Sequence, residues 1–338
     1  MKIVVTGGAG FIGSNLVDQL TKQNHQVIVL DDLSTGQKKN LIKYYRKIRF
    51  IKIDLSNEKN ISKLKKILKG VDIVYHLAGL ADIVPSIENP NRYLKVNVSG
   101  TLNILNAAKI NNIKKFIYAA SASCYGANPK YPTDEKNIIK TEYPYALSKN
   151  LGEKLVLHWE KVYKLNAVSF RFFNVYGPRS RTTGAYGAVF GVFLAQKFNN
   201  RPFTIVGDGK QTRDFIHVYD VVKALVLSLK KAKSGEVYNL GSGIETSVNQ
   251  IAKLIGGKKT FVPRRPGEPS RSIANINKIK KDLKWKPEIS IKKGISMLMS
   301  NLDDWKDAPV WTPKKIKNAT KVWFKYLKYK KNVSKKNN

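Results

Sequence analysis

The sequence predicts an α/β protein with a doubly wound parallel sheet and a smaller, more irregular C-terminal domain. Short runs rich in Ile and Val alternate with helical stretches through the first half of the chain. Almost no polar residue interrupts these runs, which is typical of parallel strands that are covered by helices on both faces. After Asn174, Gly and Pro divide the chain into shorter elements. The alternation and this change of pattern together give the predicted fold.

Six strands and six helices follow from the hydrophobic periodicity. We predict strands at Lys2–Thr6, Gln26–Leu30, Ile48–Ile53, Asp72–Leu77, Lys115–Ala120 and Ala167–Phe173. We predict helices at Phe11–Gln23, Asn57–Leu68, Tyr93–Ile110, Tyr145–Tyr163, Val218–Leu229 and Ser247–Ile255. In the third of these helices Leu94, Val98 and Leu102 recur every four residues, as expected for one buried helical face.

The same patterns divide the chain into three parts. Residues 1–173 form the sheet domain, and some later segments are expected to return to its sheet. Residues 174–303 form the second, substrate-binding domain, and residues 304–338 form a basic C-terminal tail.

The tail contains one amphipathic segment. Ile316, Ala319, Trp323 and Leu327 fall on one helical face among many lysines. This pattern predicts either a terminal helix packed on the protein, which we favour, or a helix that lies on an anionic membrane. In both cases we expect the tail from about Trp311 onward to lie outside the site and to be dispensable for chemistry. We expect residues 328–338, which are polar and basic, to be disordered.

Charge alone suggests a polyanionic partner. With 61 Lys and Arg against 24 Asp and Glu, the formal net charge of the 338-residue chain is +37. The lysines are spread along the whole chain, however, without the interleaving of Arg and aromatic residues that a nucleic-acid surface shows. We therefore favour a lysine-rich solvated surface over a specific nucleic-acid partner.

Composition also argues against several classes of protein. Cys124 is the only cysteine and can form no internal disulfide, which fits a reducing cytoplasm. The four histidines are scattered without metal-ligand spacing. No apolar run reaches the roughly 18 residues of a membrane-spanning helix, and the N-terminus lacks the pattern of a signal peptide. We expect a cytoplasmic protein without a metal or a transmembrane segment.

A glycine cluster joins the first predicted strand to the first helix. Gly7, Gly10 and Gly13 permit a tight turn and a close approach to a pyrophosphate, which the free N–H groups of the helix would bind. Asp31 ends the second strand, where a carboxylate accepts the ribose hydroxyls of NAD and repels the 2′-phosphate of NADP. Asp54 ends the third strand and is expected to contact adenine. The pattern predicts a Rossmann-type NAD site.

A phenol and an ammonium form the second motif. Tyr145 and Lys149 are four residues apart on one face of a predicted helix. A neighbouring cation favours phenolate, so we expect Lys149 to lower the pKa of Tyr145 from about 10. Ser121 and Ser123 follow the fifth strand, where their hydroxyls either share the substrate proton or only hydrogen-bond to the strand end. The motif predicts a general base with a proton relay.

With His76-Leu77-Ala78-Gly79 and Asn97, these residues resemble an extended short-chain dehydrogenase/reductase, and within it the nucleotide-sugar 4-epimerases. Further motifs of that group follow in order: Arg171-Phe172-Phe173-Asn174-Val175-Tyr176-Gly177-Pro178, Gly207-Asp208-Gly209 with Arg213-Asp214-Phe215, Tyr238-Asn239-Leu240-Gly241, and Arg265-Pro266-Gly267-Glu268. The resemblance implies a tightly bound NAD and a nucleotide-sugar substrate, most often UDP-linked.

The resemblance also assigns roles to individual residues. The implied NAD-binding residues are Gly7, Gly10, Phe11, Ile12, Gly13, Asp31, Asp32, Ser34, Gly36, Asp54, Leu55, Leu77, Ala78, Gly79, Ala81, Asn97, Tyr145, Lys149 and Phe173. The implied catalytic residues are Ser121, Tyr145 and Lys149, and the implied substrate-binding residues are Ser121, Ser123, Asn174, Arg213, Arg265, Glu268 and Ser272. Arg and amide donors suit a diphosphate.

Two differences from related enzymes limit the range of activities that we expect. Related 4,6-dehydratases carry Asp-Glu after the catalytic hydroxyl, whereas this chain has Ala122 and Ser123, which cannot eliminate water. Galactose-type epimerases carry a bulky Tyr seven residues after the diphosphate-binding Arg, where this chain has Ser272. A small residue leaves room for a 2-acetamido group. Ser272 as a simple turn cap is an equal alternative.

The expected function is NAD-dependent inversion of C4 of a nucleotide sugar through a transient 4-keto intermediate. UDP-GlcNAc/UDP-GalNAc is the leading substrate pair, and UDP-glucose/galactose and UDP-glucuronate are the alternatives. A basic nucleic-acid- or membrane-binding protein on a non-catalytic Rossmann fold is the competitor from another class. We also expect a homodimer through the helices at Tyr93–Ile110 and Tyr145–Tyr163, as the resemblance implies.

Overall fold

Seven parallel strands form the central sheet of the protein. The computed structural model describes residues 1–180 and 189–327. In chain order, all the strands of the described residues, including those outside the central sheet, are β1 (Lys2–Thr6), β2 (Gln26–Asp31), β3 (Ile48–Lys52), β4 (Ile73–His76), β5 (Lys115–Ser121), β6 (Ala167–Phe172), β7 (Asn174–Tyr176), β8 (Phe203–Val206), β9 (Thr212–His217), β10 (Val237–Leu240), β11 (Glu245–Ser247) and β12 (Lys259–Val262). The order in the central sheet is β10-β6-β5-β4-β1-β2-β3. The doubly wound parallel sheet is therefore confirmed.

Helices cover both faces of this sheet. In chain order, the helices of the described residues are α1 (Phe11–Lys22), α2 (Ile61–Ile67), α3 (Ile83–Glu88), α4 (Pro90–Leu94), α5 (Gly100–Ile110), α6 (Pro144–Tyr163), α7 (Val189–Phe198), α8 (Val218–Lys231), α9 (Val248–Ile255), α10 (Asn277–Leu283), α11 (Ile291–Met299), α12 (Pro313–Ala319) and α13 (Lys321–Leu327). Successive residues of β1 point to opposite faces. Val5 packs in the core that contains residues of α1 and α8, while Val4 packs with residues of α2, α5 and α6.

The chain after β6 builds the smaller part around its own core. Two short sheets, β11-β9-β7 and β12-β8, lie here with α7, α9 and α11. Phe193 and Phe203 stack in this core with their ring centroids 4.8 Å apart. β10 returns to the central sheet, where it pairs with β6. The chain therefore crosses between the two parts more than once, and this brings residues distant in sequence to one cleft.

The helix predicted at Tyr93–Ile110 differs in detail from the one observed. It begins at Pro90 and contains a π-helical turn at Lys95–Ser99 between α4 and α5. Asn97 lies in this turn, and its side-chain amide bonds both to the backbone of Leu80 and to Ser148 Oγ. A π-helical turn adds one residue to the helix and reorients a side chain. Periodicity does not show such a turn, because the apolar face continues on both sides of it.

The tail packs on the protein, as the favoured alternative predicts. Two short helices, α12 and α13, replace the single predicted one, and they meet at Thr320, whose Oγ1 donates to the Ile316 carbonyl. Ile316 and Trp323 are only 4% and 3% exposed. The apolar face is thus buried against protein and is not free to lie on a membrane. Within residues 1–180 and 189–327, no helix is long and apolar enough to cross a membrane. The predicted disorder of 328–338 lies outside the described residues.

Candidate active site

One large cavity lies at the carboxyl ends of the central strands. Its volume is about 730 Å³, and it extends from the glycine cluster to the second domain. That volume is in the range of sites for drug-sized ligands. β1 and β4 are neighbours in the sheet, and the strand order reverses between them. A cleft at such a reversal is where open α/β sheets bind ligands.

The glycine loop touches the strand end across this reversal. Gly7 has a φ of +66°, and a Cβ there would lie 2.7 Å from the Ala78 nitrogen. A Cβ on Gly13 would lie 2.2 Å from the Gly7 carbonyl oxygen. α1 begins at Phe11, and its first turn lines the cavity, where the N–H groups at a helix start have no partner within the helix. This geometry fits the pyrophosphate of NAD.

Asp31 lies beside the glycine loop with its carboxylate already oriented. It accepts hydrogen bonds from the Ala9 nitrogen at 3.0 Å and the Leu33 nitrogen at 2.8 Å. Burial raises the pKa of this carboxyl, although both backbone bonds oppose that rise. Two carboxylate lone pairs remain for a ribose diol, because a carboxylate offers about four acceptor sites. Gly36 does not line the cavity, but a Cβ there would lie 2.8 Å from an Asp31 carboxylate oxygen.

Two further carboxylates line the cavity where adenosine is predicted to bind. The Asp32 carboxylate accepts from both the nitrogen and the hydroxyl of Ser34. Asp54 accepts the same pair of bonds from Ser56. These local turns hold each acidic side chain in place at a strand end.

Lys149 reaches the cavity beside the predicted nicotinamide end. Burial lowers the pKa of its ammonium to about 8, although Glu153 opposes that shift. Its Nζ lies 4.9 Å from the centroid of the Tyr118 ring. A Cβ on Gly79 would lie 3.4 Å from Nζ and 3.0 Å from Asn97 Oδ1. Asn97 therefore lies behind the cavity wall, where it positions Gly79 and Leu80 and does not line the cavity.

The pKa of Tyr145 moves opposite to our prediction. Burial raises it, and the hydrogen bond with Ser121 offsets only part of the rise. The expectation that Lys149 lowers this pKa is wrong for the protein alone, because burial of the phenol dominates and the influences that oppose it are hydrogen bonds with Ser121 and Ser123, not the charge of Lys149. Ser123 also interacts weakly with the phenol, but its buried Oγ makes no hydrogen bond of normal geometry. Ser123 lines the cavity, and its contact with a substrate stays a prediction.

The second domain supplies the cationic end of the cavity. Arg213 donates to a Glu268 carboxylate oxygen at 3.0 Å, and Arg265 lies 3.8 Å from the other oxygen. Asn174 donates to the Asp214 carbonyl at 3.3 Å. Glu268 therefore holds both guanidinium groups side by side, as a diphosphate requires.

Ser272 lines the cavity and caps no helix. It lies in an extended segment, and the next helix, α10, begins five residues later at Asn277. The carbonyl of Ser270 accepts from the Thr212 nitrogen, and that of Ile273 accepts from the Thr133 nitrogen. These bonds fix the segment on both sides of Ser272. The specificity role of Ser272 stays a prediction, and its place on the cavity wall is compatible with it.

The cavity brings together nearly all the predicted residues. Those that line it are Gly7, Gly10, Phe11, Ile12, Gly13, Asp31, Asp32, Ser34, Asp54, Leu55, Leu77, Ala78, Gly79, Ala81, Ser121, Ser123, Tyr145, Lys149, Phe173, Asn174, Arg213, Arg265, Glu268 and Ser272. Only Gly36 and Asn97 lie behind the wall.

Several aromatic residues that sequence analysis did not assign to the site also line the cavity. Among them are Tyr143, Trp311 and Trp323. The expectation that the tail from Trp311 lies outside the site is therefore wrong. No local pattern distinguishes these indoles from core aromatics, since their placement depends on where the chain end folds.

The family follows from comparison with known proteins. The model of the NAD dependent epimerase/dehydratase family matches residues 3–241. The chain belongs to this family. The UDP-glucose 4-epimerase of Mycolicibacterium smegmatis is 34% identical over 305 residues, which are 88% of this chain and 96% of that protein.

Solved structures of this family share the fold. The UDP-glucose 4-epimerase of Thermotoga maritima, solved with UDP-glucose, is 34% identical with a TM-score of 0.85 and covers 90% of this chain and 99% of its own. The UDP-N-acetylglucosamine 4-epimerase of Methanobrevibacter ruminantium, solved with UDP-N-acetylmuramic acid, is 34% identical with a TM-score of 0.83 and covers 89% and 98%. The predictions of the family, the fold and an NAD-dependent epimerase are confirmed.

Proposed function

We propose that this epimerase inverts C4 of a UDP-linked N-acetylhexosamine. One observation carries the proposal: Tyr145 and the paired cations Arg213 and Arg265 line the same cavity. A base and a diphosphate anchor in one space suit a substrate whose sugar carries a nucleoside diphosphate. The small Ser272 on the wall supports an acetamido sugar, and one similar solved structure is a UDP-N-acetylglucosamine 4-epimerase.

In this proposal, different residues of the chain bind the substrate, transfer its proton and orient the cofactor. Arg213 and Arg265 bind the diphosphate, and this anchor lets the sugar rotate to present its opposite face while the nucleotide stays bound. Tyr145 takes the proton of the 4-hydroxyl, with Ser121 in its hydrogen-bond relay. When bound, NAD would supply reversible hydride transfer at C4, and its positive nicotinamide would favour the phenolate that burial disfavours. Lys149 adds positive charge and holds the nicotinamide ribose.

The cavity wall also argues against dehydration. Ala122 and Ser123 line it directly after Ser121, where an eliminating enzyme needs an acid and a base. Neither a methyl group nor an unactivated hydroxyl supplies that pair. An isomerase with no net oxidation of its substrate therefore fits these residues better.

A substrate panel tests the proposal. Purified enzyme is incubated with UDP-GlcNAc, UDP-GalNAc, UDP-glucose, UDP-galactose and UDP-glucuronate, without added reductant, and 4-epimers are followed by NMR. We expect the fastest conversion with the two N-acetylated sugars. Faster conversion of UDP-glucose or UDP-glucuronate would show that the proposed substrate is wrong. If no sugar gives a 4-epimer, the proposed activity is refuted.

Ser272→Tyr tests the role of Ser272 in accepting acetamido sugars. The phenol would fill the space beside C2, so activity on N-acetylated sugars should fall at least about tenfold more than activity on plain hexoses. Ser270→Tyr is the matched control, because Ser270 is exposed two residues earlier and does not line the cavity. Equal losses on both classes of sugar would contradict this role.

We propose further that the enzyme is a homodimer through α5 and α6. Leu102 of α5 and Leu155 of α6 are only half-buried, as are Leu94 and Val98 in the turns that lead into α5. A second copy would cover this apolar surface. Leu102→Glu should give a monomer in sedimentation at micromolar concentration, because an interface disfavours an unpaired charge. Ile138→Glu, at an exposed site elsewhere, should remain dimeric. A monomeric wild type would overturn the proposal.

A further inference from the structure

Trp323 of α13 contacts the loop that carries Arg265. The indole Nε1 donates to the Pro266 carbonyl at 2.6 Å, and the Arg265 guanidinium lies 5.4 Å from the ring centroid. That separation is within the range of cation–π contacts, about 6 Å. Leu327, one turn later, lies over Gly267 of the same loop. Three consecutive residues of this loop, Arg265 to Gly267, thus contact α13.

The same indole reaches the helix of the catalytic base. Its ring centroid lies 6.5 Å from that of Tyr143. Tyr143 in turn stacks on Tyr145 at 6.4 Å, with the ring planes only 13° apart. α13 also packs against α3, which begins directly after Asp82 on the cavity wall. One segment of the tail therefore contacts both the first and the second domain beside the site.

We propose that Trp323 is a positioning residue for the substrate diphosphate and that α13 closes the cavity across both domains. This inference rests on the proposed role of Arg265. The cation–π contact restricts the guanidinium to one side of the indole, and the bond to Pro266 fixes the loop backbone. Arg265 is then oriented before substrate arrives, and less side-chain freedom is lost on binding.

UDP binding to the NAD-loaded enzyme tests this directly. Calorimetry with UDP measures affinity without turnover, and KM and kcat are measured on the best sugar of the panel. Trp323→Ala should weaken UDP binding and raise KM about tenfold, with a smaller change in kcat. Trp323→Phe keeps a ring beneath Arg265 and should weaken UDP binding about threefold. Tyr326→Ala is the matched control, because Tyr326 is an aromatic residue of α13 that is 58% exposed.

A double-mutant cycle separates positioning from a loss of stability. In an Arg265→Ala background, Trp323→Ala should cause almost no further loss of UDP affinity, since the two residues act through one contact. Additive losses, or a Trp323→Ala enzyme that binds UDP as wild type does, would overturn the positioning role and leave the epimerase proposal standing. Wild-type enzyme that does not bind UDP would overturn both.

Discussion

Tyr145→Phe should lower turnover by about two to four orders of magnitude, which is the usual contribution of a general base. The substitution removes only the hydroxyl that Ser121 contacts, while the ring can keep its stacking on Tyr143. Bound NAD should therefore remain close to stoichiometric. Steady-state turnover and the nicotinamide absorbance of the purified protein measure the two effects separately.

Tyr219→Phe is the matched control for this loss. Tyr219 also precedes a lysine by four residues, at Lys223, but it is 45% exposed and does not line the cavity. It should turn over as wild type does. Near wild-type turnover by Tyr145→Phe would remove the phenol from the mechanism, whereas equal losses in both variants would indicate that general perturbation is the cause.

Gly13→Ala should give a protein that retains little NAD. The new Cβ would meet the Gly7 carbonyl at 2.2 Å and Gly8 Cα at 2.8 Å, and both are backbone atoms that cannot rotate away. Overpacking of this kind costs about 1–3 kcal/mol. If the displacement falls on the pyrophosphate loop, NAD affinity drops roughly tenfold or more, at 1.4 kcal/mol per factor of ten.

Gly100→Ala is the control for inserting a methyl group. A Cβ at Gly100 would meet its nearest neighbours at 3.7 Å, an ordinary contact, at the start of α5. This variant should retain NAD and unfold at the wild-type temperature or slightly above, since Ala favours a helix over Gly. Dinucleotide content after gel filtration and thermal unfolding check both variants. Full NAD retention by Gly13→Ala would refute the predicted fit of the loop.

The sequence by itself determined the features that depend on short-range spacing. The glycine cluster between a strand and a helix, Asp31 at the next strand end, and the Tyr145 and Lys149 pair each lie within one local unit. Their placement follows from strand and helix geometry once the alternation of elements is known. The six predicted strands are found with ends shifted by no more than a residue or two for the same reason.

Only the tertiary structure decided the features that join distant parts of the chain. Trp323 meets Arg265 and Tyr143 although it lies 58 and 180 residues after them, and no periodic pattern encodes such a contact. The direction of the Tyr145 pKa shift also needed the fold, because burial by the surrounding residues raises this pKa more than the hydrogen bonds with Ser121 and Ser123 lower it. Spacing indicates which groups are neighbours on an element, whereas packing decides what surrounds them and therefore which effect dominates.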